Sequence, residues 1–429
     1  VPMGYDLTQQ KGCFTMASKF DAEALELHKK HHGKLSTPPT VPLNSRDDLS
    51  RAYTPGVAAP CLAIKENPDA IYDYTTKGNM VAVVTNGTAV LGLGNIGAGA
   101  GLPVMEGKSI LFKGFAGVDS VPVCVDSPKV EDVVKVCQLI APTYGGINLE
   151  DIKAPQCFDI ENELKKTLDI PVFHDDQHGT AIVVVSALLN AYKYLDRDLK
   201  TAKIVINGAG AAGQAIARLL FAYGAKTVVL CDTTGAIYEG RKENMNPYKE
   251  SIPKVPTLQK EHGTLAEAVK GKDIFIGVSA PGSLTQDMIR TMSPAPVVMA
   301  MANPVPEILP DEAKAAGARI VCTGRSDFPN QVNNLLAFPG IFRGALDVRA
   351  KEINEEMKIA AAGAIASLIP ESELNETNII ASPLDPRVAP TVAAAVAKAA
   401  LDTGVARRKD LTPEDVANHT RELLGHAVG

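Results

Sequence analysis

Residues 203–232 read KIVINGAGAAGQAIARLLFAYGAKTVVLCD, and three signals follow one another in them. The apolar run KIVIN predicts a buried strand. It leads directly into Gly208-Ala209-Gly210-Ala211-Ala212-Gly213, a GxGxxG turn, and the turn opens a helix, AAGQAIARLLFAYG. A second strand, KTVVLCD, ends in Asp232, nineteen residues after Gly213. The glycines let the backbone turn tightly and approach a pyrophosphate. The helix N-terminus offers free N–H groups, and the carboxylate at the second strand's end meets the adenine ribose. This stretch therefore predicts a Rossmann-type βαβ unit that holds a dinucleotide through residues 208–213 and Asp232. A carboxylate favours NAD over NADP because it repels a 2′-phosphate, although Arg241, nine residues on, weakens that preference.

Downstream, helical segments (TLAEAVKG, LTQDMIRTM, DEAKAAGA) alternate with apolar runs (KDIFIGVS, PVVMAMANP, RIVCTG). The tail, PTVAAAVAKAALDTG and LTPEDVANHTRELLGH, reads as terminal helices. Upstream the same alternation holds. MVAVVT (80–85), AVLGL (89–93), SILFK (109–113), VPVCVD (121–126), GINLED (146–151) and IPVFHDD (170–176) read as buried strands. VEDVVKVCQLIAPTYG, FDIENELKKTL and GTAIVVVSALLNAYKYL read as helices. The fold class is thus α/β: an N-terminal α/β substrate and metal domain (1–185), then a doubly wound Rossmann-type NAD(P)-binding domain with C-terminal helices (186–429). The polar stretch 194–203 carries the chain between them. A second GxGxxG, Gly92 to Gly97, has no acid at the end of its next predicted strand, and reads as a substrate or structural loop.

Composition narrows the function classes. The 429 residues carry a net charge of −6 with 45% hydrophobic residues, which excludes disorder over most of the chain and a broad nucleic-acid surface. Aromatics are 5% with no Trp, which excludes an aromatic base-stacking platform. The seven cysteines are odd in number and show no CxxC spacing, so a reducing compartment fits better than a disulfide framework. No apolar run reaches the roughly 20 residues that span a bilayer, and the start lacks a signal-peptide pattern. A cytoplasmic protein is expected. HKKHHGK (28–34) reads as a solvated helix end rather than a metal site.

Glu150 and Asp151 end one predicted strand, and Asp175 and Asp176 end the next; with one helix between them the strands run parallel and place the acids at one edge. Repelling carboxylates there suit a hard divalent cation, Mg2+ or Mn2+. Simple helix capping by Asp176 is the plainer alternative. A zinc site using His174 and His178 is a third, weaker one.

Eight motifs then occur in one order: Tyr53-Thr-Pro-Gly-Val, VVTNGTAVLGLGNIG (83–97), LPVMEGKSILFK (102–113), NLED (148–151), FHDDQHGTA (173–181), the 208–213 turn, MANPVPE (301–307) and NQVNNLLAFPG (330–340). In this the chain resembles the malic enzymes, in their short microbial form, over residues from about 35 to 410. The resemblance implies oxidation and decarboxylation of L-malate to pyruvate and CO2, with NAD or NADP reduced and Mg2+ or Mn2+ bound. It implies that Glu150, Asp151 and Asp176 are the metal ligands, Lys108 the general base, Tyr53 the general acid, and Asp175 the residue that tunes or relays the proton of Lys108. It implies that Asn303 and Asn334 contact malate and the nicotinamide region, and that the protein is a homodimer or higher oligomer. A cation and partial burial near Lys108 are expected to lower its pKa. One position departs: Ala89 stands where larger members carry an arginine, so a bidentate clamp on malate's carboxylate is missing there. The larger members lack histidines at positions 174 and 178, which argues against an essential role for either. Two rival functions stay open: a malolactic-type enzyme that holds NAD and releases lactate, and a catalytically silent nucleotide-binding protein.

Overall fold

The computed structural model describes residues 20–90, 92–252 and 261–426. Cys13 lies outside them. The chain separates into two compact units, 1–40 and 41–429. In the first, Phe20–His31 is a helix with no buried residue, acidic in its first turn and basic in its last, as the helix dipole prefers. His28 Nδ1 lies 2.7 Å from the carbonyl of Ala24, so the basic end is a helix end, as expected.

The second unit holds two parallel sheets. The first has the order β2-β1-β3-β4, with β1 Met80–Thr85, β2 Asp119–Cys124, β3 Gly146–Leu149 and β4 Val172–His174. Alternate residues of β1 serve two cores. Val81 and Val83 join Met105 and Phe112, while Ala82 and Val84 join Val133, Cys137 and Leu149. Burial on both faces is why β1, β3 and β4 read as continuous apolar runs, whereas β2 at the sheet edge is only half-buried.

The second sheet has the order β10-β9-β8-β5-β6-β7. Its strands are β5 Lys203–Asn207, β6 Thr227–Asp232, β7 Gly235–Ala236, β8 Ile274–Gly277, β9 Val297–Ala300 and β10 Ile320–Thr323. All pairs are parallel except β6 with the two-residue β7. Chain order reverses between β5 and β8, which creates the crevice where dinucleotides bind. The helix Asp175–Tyr194 lies in sequence between the sheets and is apolar nearly all round, with 14 buried residues. The expected helices Val388–Asp402 and Pro413–His426 close the chain.

Three expected strands need correction. SILFK lies inside the helix Ala98–Ala116, whose buried residues Gly101, Met105, Lys108, Ser109, Phe112 and Ala116 recur every three or four positions. The five-residue run alone hid that period. The described residues of AVLGL form no strand: Val90 pairs with Gly94 in a single bridge. Asp175 and Asp176 do not end a strand but form the first turn of the helix Asp175–Tyr194, where their charge is favoured by the dipole.

Candidate functional site

Leu149 pairs with His174, so the residues that follow β3 and β4 emerge at the same sheet edge. Glu150, Asp151 and Asp176 offer carboxylate oxygens that all lie within 4.8 Å of one another. Asp176 accepts the backbone N–H of Asp151 at 2.8 Å, which ties the two loops together. Asp151 has φ +53°, the left-handed turn that follows the strand. The TNGT loop is held against the same segment, because Ala89 N–H donates to the Asp151 carbonyl at 3.0 Å and Lys153 N–H to Thr88 Oγ1 at 3.0 Å. Burial pushes the Glu150 carboxyl well above its usual range, and Asp176, Asp175 and Asp151 push it further, against the pull of Lys108. Such an all-oxygen, mutually repelling donor set fits a hard divalent cation.

Lys108 is 8% exposed and sits on the helix rather than at a strand start. Its Nζ lies 2.6 Å from Asp175 Oδ2 and 3.0 Å from Glu150 Oε1, and 4.2 Å from the centre of the Phe338 ring. Burial lowers its pKa, but Asp175 and Glu150 outweigh that and hold it above the usual lysine value. The expected lowering is therefore not found with the carboxylates alone around it. Asn334 donates to the same Asp175 oxygen, so Asp175 is fixed from two sides. A Cβ at position 179 would come within 1.9 Å of Asp175 Oδ1, so Gly179 makes room for that carboxylate one turn along the helix.

The other expected residues are placed as follows. Tyr53 caps the C-terminus of the short helix Arg46–Ala52, is 72% exposed, and makes no hydrogen bond to Lys108. Asn303 lies in the turn after β9, exposed, with the Gly92 loop beside it: a Cβ on Gly92 would lie 3.6 Å from the Asn303 carbonyl. The first glycine loop thus borders the turn that carries Asn303. His174 Nε2 lies 3.3 Å from Asp176 Oδ2, and His178 Nε2 meets Glu161 at 2.7 Å, away from the acids. Burial pushes His178 down to about 4, against the pull of Glu161. His174 touches Asp176, but no three-ligand set that includes a histidine is assembled among the described residues.

Sequence reasoning missed Asn148, whose Nδ2 donates to Glu150 Oε2 at 2.8 Å. The strand's period of two put it on the same face as Glu150, inside the NLED motif.

The second glycine turn has the expected geometry. Gly208 has φ +121°, and a Cβ there would lie 2.5 Å from the Val278 carbonyl. One at Gly213 would lie 1.7 Å from the Gly208 carbonyl, whereas nothing stands within 4 Å of a Cβ at Gly210, the open approach to a pyrophosphate. Ala211 and Ala212 start the helix Ala211–Tyr223. A cavity of about 610 Å3 faces this turn, lined by Asp232, Asn244, Lys249 and Ser279 among others. Asp232, however, is not a free acceptor. Oδ1 takes Thr234 N–H, Thr234 Oγ1 and Arg241 Nη1, while Oδ2 takes Arg241 Nη2, Asn244 Nδ2 and Lys249 Nζ. Burial raises its pKa, but the bonds from Arg241 and Lys249 prevail and hold it well below the usual carboxylate range. One carboxylate against two cations makes this cluster net positive, which weakens the argument from Asp232 for NAD.

Comparison with known proteins places the chain among relatives of one kind. The model described as "Malic enzyme, NAD binding domain" matches residues 177–401, and "Malic enzyme, N-terminal domain" matches 32–130. The chain is 58% identical over 401 residues to a bifunctional malic/malolactic enzyme of Bacillus subtilis, covering 94% of this chain and 98% of that one. It is 53% identical to an NAD-dependent malic enzyme of Geobacillus stearothermophilus, covering 88% and 79%. The crystal structure of malic enzyme from Pyrococcus horikoshii superposes with TM-score 0.91 at 48% identity, over 94% of this chain and 95% of that one.

Proposed function

The chain belongs to the malic enzyme family, and we infer that it oxidises and decarboxylates L-malate to pyruvate and CO2 while reducing NAD or NADP. The observation that carries this reading is the juxtaposition of Lys108 with the three-acid group, at the edge of one sheet, in a chain whose second sheet carries the dinucleotide turn.

Glu150, Asp151 and Asp176 are the residues that would hold Mg2+ or Mn2+, which would supply Lewis-acid polarisation and a template for malate. Lys108 takes the C2 hydroxyl proton; NAD or NADP, when bound, would supply the hydride acceptor. Lys108 must be neutral to take that proton. A cation on Glu150 and Asp176 would cancel part of the charge that raises Lys108, leaving burial, which favours the neutral amine, opposed by Asp175 alone. Asp175, held by Asn334, keeps Nζ aimed at one place. The resulting β-keto acid loses CO2, and Tyr53 protonates C3. Asn303 faces malate and the nicotinamide from the β9 turn. The substrate and metal half ends near residue 185, and the rest of the chain forms the dinucleotide half.

We propose that Tyr53 reaches this site from a second copy of the chain. It is exposed, and Leu43, Leu49 and Leu62 in neighbouring stretches and Leu102, Val104 and Ile110 on the Ala98–Ala116 helix are exposed apolar side chains as well. Such surface in a soluble enzyme marks an interface. Tyr53→Phe and Lys108→Ala are each expected to be inactive alone. Mixed and reassociated, they regain about a quarter of parent activity, because half the symmetric dimers are hybrids and each hybrid has one intact site. If mixing restores nothing, Tyr53 acts within its own chain.

We also propose that NADP is accepted alongside NAD, supported by the positive edge around Asp232. Lys249→Gln is expected to lower kcat/KM for NADP by about 10-fold while NAD changes less than about threefold, since one charge-assisted contact is lost. Equal changes for both cofactors would refute this.

No helix among the described residues is long and apolar enough to cross a membrane, and the six described cysteines are free, which supports a reducing, cytoplasmic location. The decisive assay supplies L-malate, Mn2+ and either cofactor, and measures reduced nicotinamide, pyruvate and lactate together. Pyruvate matching reduced cofactor supports the reading. Lactate without net cofactor reduction supports the malolactic alternative, which the Bacillus subtilis relative keeps open.

A further inference from the structure

Glu307 closes the MANPVPE motif, and neither the metal group nor the base uses it. It is fully buried, 0% exposed. Its two oxygens serve two different loops: Oε1 accepts the backbone N–H of Ser279 at 2.9 Å, and Oε2 accepts that of Ala302 at 3.0 Å. Ser279 follows β8 and Ala302 follows β9, which are neighbours in register, Gly277 opposite Ala300. The carboxylate lies between the two strand ends, over Gly277, where a Cβ would come within 2.4 Å of Glu307 Cδ. Its own backbone is tied in as well, since Leu284 N–H donates to the Glu307 carbonyl at 3.3 Å.

What these loops carry gives the clamp its meaning. The first contains Ser279 and Ser283, which line the dinucleotide cavity and accept from Asn207 Nδ2 at 2.8 and 3.0 Å. The second contains Asn303. Both leave strands on one side of β5, whereas Asp232 ends β6 on the other side. A dinucleotide that lays its pyrophosphate on the 208–213 turn and its adenine ribose toward Asp232 therefore points its nicotinamide half at the β8 and β9 loops.

We propose that Glu307 is a positioning residue that sets the spacing of the two loops meeting the nicotinamide half of the cofactor. The proposal rests on the dinucleotide reading above and names the residue that orients the reacting end. A buried carboxylate that accepts two backbone N–H groups has no substitute among the other side chains, because any replacement orphans at least one donor. Glutamine keeps the length and one acceptor, but turns an NH2 toward the second N–H.

The test compares NAD (or NADP) with ADP-ribose, which lacks the nicotinamide, by calorimetric titration of the full-length parent, Glu307→Gln and Glu307→Asp, together with steady-state kinetics. The expected result for Glu307→Gln is a dinucleotide Kd and KM raised about 10-fold and a lowered kcat, with ADP-ribose affinity within about twofold of the parent. Glu307→Asp, too short to reach both loops, gives the same split and serves if the glutamine variant does not fold. Unchanged dinucleotide affinity overturns the proposal. So does an equal loss of ADP-ribose and dinucleotide affinity, the mark of a purely structural role. A parent that binds ADP-ribose but neither binds NAD or NADP nor turns over malate defeats the dinucleotide reading itself.

Discussion

Lys108→Ala is expected to lower kcat by roughly a thousandfold or more, about 4 kcal/mol of transition-state stabilisation, while the dissociation constant for NAD or NADP stays within about twofold. The reason is local. The Nζ is enclosed by Asp175 at 2.6 Å, Glu150 at 3.0 Å and the Phe338 ring. Removing it leaves two buried acids without their counter-charge, so a cation on the site is expected to bind at least as tightly as before. That separates loss of a proton acceptor from loss of the metal. Lys108→Arg offers a sharper contrast: it restores the charge but cannot give up a proton. Its structure should match the parent by circular dichroism while kcat stays as low as for alanine. Near-parent turnover in either variant would remove Lys108 from its role.

Asp176→Ala is expected to act on the metal first. Its carboxylate is one of the three clustered acids and also the acceptor for Asp151 N–H, so one truncation removes a ligand and loosens the loop that carries another. The apparent Mn2+ dissociation constant should rise by roughly 100-fold or more, since even outer-shell partners of metal ligands are worth about 10- to 100-fold. Saturating Mn2+ should recover part of kcat. Asp176→Asn keeps an oxygen for the Asp151 N–H and loses only the charge, so it should lie between parent and alanine. The measurement is Mn2+ titration by paramagnetic or calorimetric readout, alongside activity at rising Mn2+. An unchanged Mn2+ constant in the alanine variant would take Asp176 out of the ligand set.

Much of this was legible in the chain itself. The 203–232 stretch carried its strand, turn, helix and second strand in order, because each is a local pattern and the two sterically required glycines are fixed by their own neighbourhood. The acids at 150–151 and 175–176 were legible because one helix between two strands fixes their direction. What failed was the short apolar run. SILFK has no period of its own, and only Met105 and Ala116, outside it, reveal the helical spacing. The partners of Asp232 were half legible: Arg241 is near in sequence, while Lys249 arrives across an irregular segment with no period to follow. The side-by-side placement of Lys108 and Asp175, 67 residues apart, was reached through the resemblance to a family and not through spacing.

The helix Asp175–Tyr194 begins in the acidic site and ends where the second sheet's segment starts. At 1.5 Å per residue its 20 residues make a rod about 30 Å long, so a tilt of about one degree at the far end displaces Asp176 by about 0.5 Å. Its nearly complete apolar coat resists bending and transmits such a tilt as a whole. The rod is thus a lever arm: substitutions near Asn190, which bonds the carbonyls of Ala366 and Ile379, are expected to act on the position of Asp176, about 21 Å away along the helix.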